Sequence, residues 1–151
     1  MRGVYTLSHK SSAHSTAVSL IYVVCPATCA IEILSAGITN ATTETNEQWE
    51  VAIAHVTSIG TPQGTALTPI KAEKGDAASL ITGALGDLTT EPTTATEFVD
   101  NQGVPSLGGY RYEPVPEERI TVGPSKALVM KFVATMTSTD VVAWIKFREI
   151  A

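Results

Sequence analysis

Residues 141–149 read Val-Val-Ala-Trp-Ile-Lys-Phe-Arg-Glu, and this stretch decides the fold class. Its odd positions from Val141 to Phe147 are all apolar, whereas Trp144 and the two cations that follow it occupy even positions. Because successive side chains of a strand point to opposite faces, this alternation predicts a β-strand with one buried face. Residues 128–132 alternate in the same way, and the short polar segment between the two stretches predicts that they form a hairpin.

The rest of the chain also favours short strands. Gly, Pro, Asn and Asp interrupt the sequence about every 8 to 15 positions, and no segment keeps a helical apolar period for three turns. About one residue in seven is Thr, which together with Val favours pleated strands over helices. The other predicted strands are Ala17–Cys25, Ala30–Ile38, Gln48–Ser58, Ala66–Ile70, Ala78–Leu85, Ala95–Val99, Tyr110–Glu113 and Ile120–Val122, with the 128–132 strand extending over Ala127–Met136.

These patterns predict an all-β fold, a two-sheet antiparallel sandwich of jelly-roll type. Residues 17–151 are expected to form this single domain. Residues 1–16, which contain the polar run Ser8–Ser12, are expected to form a loosely held N-terminal arm or an edge strand. Exposed loops are predicted at Asp87–Thr96 and Asn101–Gly109. The stretch Trp49–Val56 is apolar on both faces, as expected for a central strand or for one covered by a neighbouring subunit.

Charge and cysteine content exclude several classes. The 151 residues carry 10 Lys and Arg against 15 Asp and Glu, and this net charge of −5 argues against binding to nucleic acid or to an anionic membrane. The sequence contains no run of 18 apolar residues, which a membrane span would need, and its first residues do not resemble a signal peptide. Cys25 and Cys29 flank a tight turn, which predicts a reduced, buried pair in a reducing compartment.

The sequence offers no catalytic signature. It has no G-x-S-x-G motif and no H-x-H pair of the kind that a metal-binding jelly roll needs. His9 and His14 fall in the predicted arm, and His55 falls in a predicted strand. The carboxylates of Asn40–Glu47 and Asp87–Glu91 lack the spacing of a calcium loop, so both segments are predicted to be solvated loops.

The densest charge cluster is Glu113-Pro114-Val115-Pro116-Glu117-Glu118-Arg119. Its prolines favour a stiff extended segment in which Glu117 and Glu118 point to opposite sides, so the pair is not expected to act on one substrate. Arg119 can pair with a carboxylate within the subunit or across an interface. The sequence therefore predicts neither an enzyme nor a cofactor.

A set of short motifs, in order along nearly the whole chain, resembles a family of small virion proteins of tailed bacteriophages and prophages. The motifs are Tyr5-Thr6, Cys25-Pro26-Ala27-Thr28, Ile31-Glu32-Ile33-Leu34, Gly64-Thr65-Ala66-Leu67-Thr68-Pro69, Gly75-Asp76-Ala77-Ala78, Tyr110-Arg111-Tyr112, Pro116-Glu117-Glu118-Arg119-Ile120 and Phe147-Arg148-Glu149-Ile150.

The resemblance implies a capsid decoration, or cement, protein located on the outer surface of the virion capsid. Such proteins sit as homotrimers at three-fold and quasi-three-fold positions and clamp the major capsid protein. On this view Tyr5 and Leu7 of the arm are expected to contact the capsid. Trp49, Arg119 and Trp144 are expected at the subunit interface, with Arg119 paired across the trimer.

The main alternative is a carbohydrate-binding module on a tail or head fibre, because jelly rolls serve as lectins as well as shells. Sugar-binding sites usually display aromatic side chains on loops. The predicted long loops contain no Trp, and only Tyr110 and Tyr112 lie next to such a loop, which favours the capsid role. A hydrolase that uses carboxylates alone and a structural protein without viral context are weaker alternatives.

Overall fold

The computed structural model describes residues 3–42 and 46–150, which form thirteen strands and one 3₁₀ turn at Pro116–Glu118. None of the described segments is a helix long and apolar enough to cross a membrane. The strands are β1 (Val4–His14), β2 (Ser19–Val24), β3 (Ala30–Asn40), β4 (Gln48–Ser58), β5 (Gln63–Ala66), β6 (Ile70–Lys71), β7 (Leu85–Thr90), β8 (Thr93–Thr94), β9 (Asp100–Pro105), β10 (Tyr110–Tyr112), β11 (Thr121–Val122), β12 (Ala127–Phe132) and β13 (Thr139–Ile150).

The strands form two antiparallel sheets around one main core. Sheet I has the order β10–β3–β13–β1–β6, with β11 also on β3, and sheet II has the order β5–β7–β2–β12–β4–β8, with β9 also on β4. Eight of these strands form two four-stranded sets, β1–β13–β3–β10 and β2–β12–β4–β9, between which the chain crosses repeatedly. The predicted two-sheet antiparallel sandwich is confirmed, and its strand order is that of a jelly roll.

Strand β13 lies in the middle of sheet I, paired with β1 on one side and β3 on the other. Its odd positions from Val141 to Phe147 are buried in the core, as the alternation predicts. The Phe147 ring stacks against Tyr5 of β1 at a centroid distance of 5.7 Å. Strands β13 and β1 therefore contribute side chains to the same layer of the core.

The predicted loosely held arm is wrong for residues 4–14. This segment is strand β1, which pairs with β13 from Val4 to Ser11, and Tyr5 and Leu7 are fully buried. The prediction failed because only two residues at the start of the inward face are apolar, while His9, Ser11 and His14 continue that face with polar groups. The edge-strand alternative is closer, since β6 covers the outer edge of β1 only at Tyr5 and Thr6.

The predicted hairpin between β12 and β13 is also wrong. Strand β12 lies in sheet II between β2 and β4, whereas β13 lies in sheet I, so residues 133–138 cross from one sheet to the other. Each strand turns one apolar face toward the same core, but from opposite sides. Alternation identifies the buried face of a strand and does not identify the neighbour to which it is hydrogen-bonded.

An insertion between β4 and β9 closes one side of the sandwich. Within it, β6 joins sheet I beside β1, and β7 joins sheet II beside β2. The predicted strand Ala78–Leu85 is absent: Ile81 and Ala84 are buried in the core, and the pairing begins only at Leu85. Most of β7 and β9 instead lies in segments predicted as loops, because polar residues there pair with a neighbouring strand.

Strand β4 is apolar on both faces because it is central and is covered by its own chain. Trp49 and its alternate neighbours face the main core, while Ala54 and Val56 belong to a second apolar cluster on the outer face of sheet II. Leu88 is buried in that cluster, and Phe98 packs against it. A neighbouring subunit is therefore not needed to explain the two apolar faces.

Replacing Leu7 with Ala tests whether β1 is part of the core. Because Leu7 is fully buried, we expect the free energy of unfolding to fall by about 2–5 kcal/mol in urea denaturation. The matched control is Ser8→Ala, one position along the strand and exposed, for which the change should stay within about 0.5 kcal/mol. Equal stabilities of the two variants would contradict the placement of β1.

Candidate docking face

The outer face of sheet I carries Trp144 at its centre. Trp144 lies opposite Ser8 of β1 and Gly37 of β3, and its indole covers Gly37, which is buried. A Cβ on residue 37 would lie 2.7 Å from the Trp144 Cζ2 atom, so only glycine lets the ring lie this close to the sheet. The indole is half-buried and keeps one side on the surface.

Charged side chains surround this indole. The face consists of Trp144, five cations and three carboxylates that pair with four of these cations, and it is called the Trp144 face. The cations are Lys10, Arg111, Arg119, Lys146 and Arg148, and the carboxylates are Glu32, Glu113 and Asp140.

Glu32 is the carboxylate of this face that pairs with two cations. It pairs with the Arg148 guanidinium, and its Oε2 lies 3.6 Å from Arg119 Nη1. The Glu32 side chain is only 13% exposed, whereas those of Arg119 and Arg148 are 23% and 31% exposed. One carboxylate therefore balances two guanidinium groups, and a net positive charge remains on this face, at the Arg148 end of β13.

Two of the predicted interface residues, Trp144 and Arg119, lie on the outer face of sheet I. Trp144 points away from the core, as predicted, and its role at a subunit interface stays a prediction. Arg119 forms an ion pair with Glu32 of the same chain, and its pairing across a trimer stays a prediction.

Three of the predicted contact residues belong to the core. Trp49 is 2% exposed and meets Phe132 edge-on at 5.3 Å, so it is not available to a neighbouring subunit. Tyr5 and Leu7 are fully buried and cannot reach a capsid without unfolding β1. Their apolar character, which suggested docking, is explained by the core.

A buried polar cluster joins β1 to β7. His9 Nε2 lies 2.9 Å from Asp87 Oδ2, and His14 Nδ1 lies 3.7 Å from Asp87 Oδ1. His14 Nε2 is 2.8 Å from the Thr16 carbonyl and must donate to it, so Nδ1 of the neutral ring accepts from the Ser11 hydroxyl at 3.1 Å. The prediction that both histidines lie in a solvated arm is wrong.

This cluster does not have the order of a catalytic triad. In a triad the serine and the carboxylate bind different nitrogens of the histidine ring. Here Ser11 and Asp87 both face Nδ1 of His14, and the backbone occupies Nε2. The third histidine, His55, lies in β4 as predicted.

The two thiols and Glu91 occupy structural positions. Cys25 and Cys29 are buried thiols beside the predicted turn, and burial raises the pKa of Cys25 to about 12. Glu91 accepts hydrogen bonds from the backbone and hydroxyl of Ser19, both at 2.6 Å. Part of the predicted loop Asn40–Glu47, residues 43–45, lies outside the described residues. Among those that the structure describes, no three His, Cys, Asp or Glu side chains are grouped to hold a metal ion.

Comparisons with known proteins add no assignment. No family model matches the sequence, and no curated protein or solved structure is significantly similar to the chain.

The His14 environment predicts a pH-dependent stability. Burial, opposed by Asp87 and the Thr16 carbonyl and reinforced by His9, lowers the pKa of His14 below 6.5. The unfolded chain therefore binds more protons, so the free energy of unfolding should fall as the pH drops below about 6.5 toward the folded-state pKa. Urea denaturation at pH 7.5 and 5.5 measures this loss.

The loss should be smaller in His14→Gln, which keeps an N–H for Thr16 but does not titrate. The control is His55→Gln, which should keep the pH dependence of the wild type. If His14→Gln lost as much stability as the wild type between these pH values, the burial of a neutral His14 would be refuted.

Proposed function

We propose that this chain is a capsid decoration protein of a tailed bacteriophage. It binds the outer surface of the shell formed by the major capsid protein, as a homotrimer at three-fold and quasi-three-fold positions, and stabilises that shell. The sequence motifs above suggest this role, and the Trp144 face is the observation that carries it.

A contrast between the two sheets supports a protein partner for this face. Sheet II covers its outer face with its own chain through Leu88 and Phe98. Sheet I instead leaves Trp144 half-exposed among arginines on an ordered four-stranded surface. Trp and Arg are the residue types that most often dominate binding energy at protein interfaces.

The distribution of charge supports a heterologous contact. Five cations and three carboxylates lie on the Trp144 face, which leaves five cations and twelve carboxylates on the rest of the chain. In a three-fold ring each subunit offers two different surfaces to its neighbours. A face with more cations than carboxylates on one subunit therefore meets the more acidic remainder of the next, and this complementarity favours closure of the ring.

Sedimentation velocity of the purified chain tests the assembly. We expect a trimer, and Trp144→Ala should weaken its association by about thirtyfold or more, as truncation of a central interface Trp does. Lys146→Glu, on the same face, should also weaken it. The matched control is Lys126→Glu, the same charge change at an exposed lysine before β12. A wild-type monomer at all concentrations, or a Trp144→Ala trimer of unchanged stability, would contradict the assembly.

Antibody labelling of intact particles of the phage that encodes the chain tests the location. We expect label spread evenly over the head in negative-stain images. Label confined to a tail tip or fibre would refute the decoration role and support the carbohydrate-binding alternative. Absence of label from the particle would refute both virion roles.

A further inference from the structure

A cleft of about 570 Å³ opens where the chain passes from β9 on sheet II to β10 on sheet I, beside the 3₁₀ turn. It is separate from the buried His9 and His14 cluster, and among its lining residues only Arg111 and Glu113 also belong to the Trp144 face. Its size suits a small ligand rather than a protein segment.

Asp100 is held in place in this cleft by two hydrogen bonds. The Tyr110 hydroxyl and the Gln102 amide, the latter at 3.0 Å, both donate to Asp100 Oδ2. Burial and this hydrogen bond raise the pKa of Tyr110, so its hydroxyl remains a donor. Both bonds end on Oδ2, which leaves Oδ1 of Asp100 and the Gln102 carbonyl as acceptors for a ligand.

The cleft also has an apolar side. Val99 is exposed there and Pro114 lies beside it. The Tyr112 ring is half-buried against the core, and its hydroxyl donates to the Glu118 carbonyl at 3.1 Å, which fixes the ring. A rigid apolar patch next to paired acceptors matches a ligand with a C–H face and a rim of hydroxyls.

Charge decides between ligand classes. Three carboxylates line the cleft, from Asp100, Glu113 and Glu118, against the single guanidinium of Arg111, which lies 3.6 Å from Glu113. This negative balance disfavours phosphates, nucleic acids and acidic sugars. The carboxylates are not grouped for a metal ion among the residues that the structure describes.

We infer that this cleft is a binding site for a neutral saccharide of one or two sugar units. Asp100 and Gln102 would bind a pair of sugar hydroxyls, and Tyr112, Val99 and Pro114 would contact the ring face. This inference does not depend on the proposed decoration function.

A glycan array followed by calorimetry tests the inference. The array should carry neutral hexose- and N-acetylhexosamine-terminated glycans beside sialylated and sulfated ones, and we expect binding to neutral members only. For the strongest neutral glycan, Asp100→Asn and Gln102→Ala should each raise Kd about tenfold or more, as loss of a hydrogen bond to a charged or paired group does.

The matched control is Asn101→Ala, because Asn101 is exposed on the same strand and bonds instead to Glu50 at 3.3 Å. Its Kd should stay within about twofold of the wild type. Gln102 is exposed, so Gln102→Ala should melt at the wild-type temperature, and a lost affinity then reports the cleft rather than the fold. The inference is overturned by an array without neutral hits, by binding that needs added Ca²⁺, or by an unchanged Kd in both cleft variants.

Discussion

The two hydrogen-bonded edges of β13 are the constraint on which the rest of the structure depends. One edge pairs with β1 from Val4 to Ser11, and the other pairs with β3 from Ala30 to Asn40. This double pairing fixes which residues of three strands face the core and which face outward. It buries Tyr5 against Phe147, and it sets Trp144 over Gly37 on the opposite face. The main core and the Trp144 face are therefore two sides of one strand register.

The two sheets differ in whether their outer faces are covered by the rest of the chain. Sheet II carries Tyr22, Ala54 and Val129 outward, and the insertion between β4 and β9 supplies the apolar side chains that cover them. Sheet I receives only the two residues of β6 at its edge and no covering segment over Trp144 among the described residues. The same insertion thus pairs with strands of both sheets but leaves the Trp144 face of sheet I uncovered. This face is therefore the surface on which we propose that a protein partner binds.

Much of the fold was predictable from the sequence where a strand carries enough apolar residues, on one face as in β13 or on both faces as in β4. The alternation in β13 is strong because its inward positions pack a full set of apolar side chains into the core, whereas β12 is buried on both faces except at Lys131. Strand β1 was predicted only as an alternative to an arm, because its inward face ends in a polar cluster whose carboxylate, Asp87, comes from a strand far away in the sequence. Partners of this kind lie too far apart in sequence for local patterns to pair them. The saccharide cleft is a similar case: Tyr110 and Tyr112 stand out beside a glycine-rich loop, but only the fold brings Asp100 under Tyr110.

The placement of β1 beside β13 also has a consequence for biosynthesis. Residues 4–11 leave the ribosome well before residues 139–150, the strand that hydrogen-bonds to them. Sheet I therefore cannot be completed before β13 has been synthesised, and until then most of β1 lacks the strand that pairs with it. Non-local pairing of this kind makes folding slow, and nascent chains close to one another on a polysome then have time to pair their β1 strands wrongly. Yield in a cell should accordingly depend on translation density and on chaperones that hold the first strand, more than on the stability of the finished sandwich.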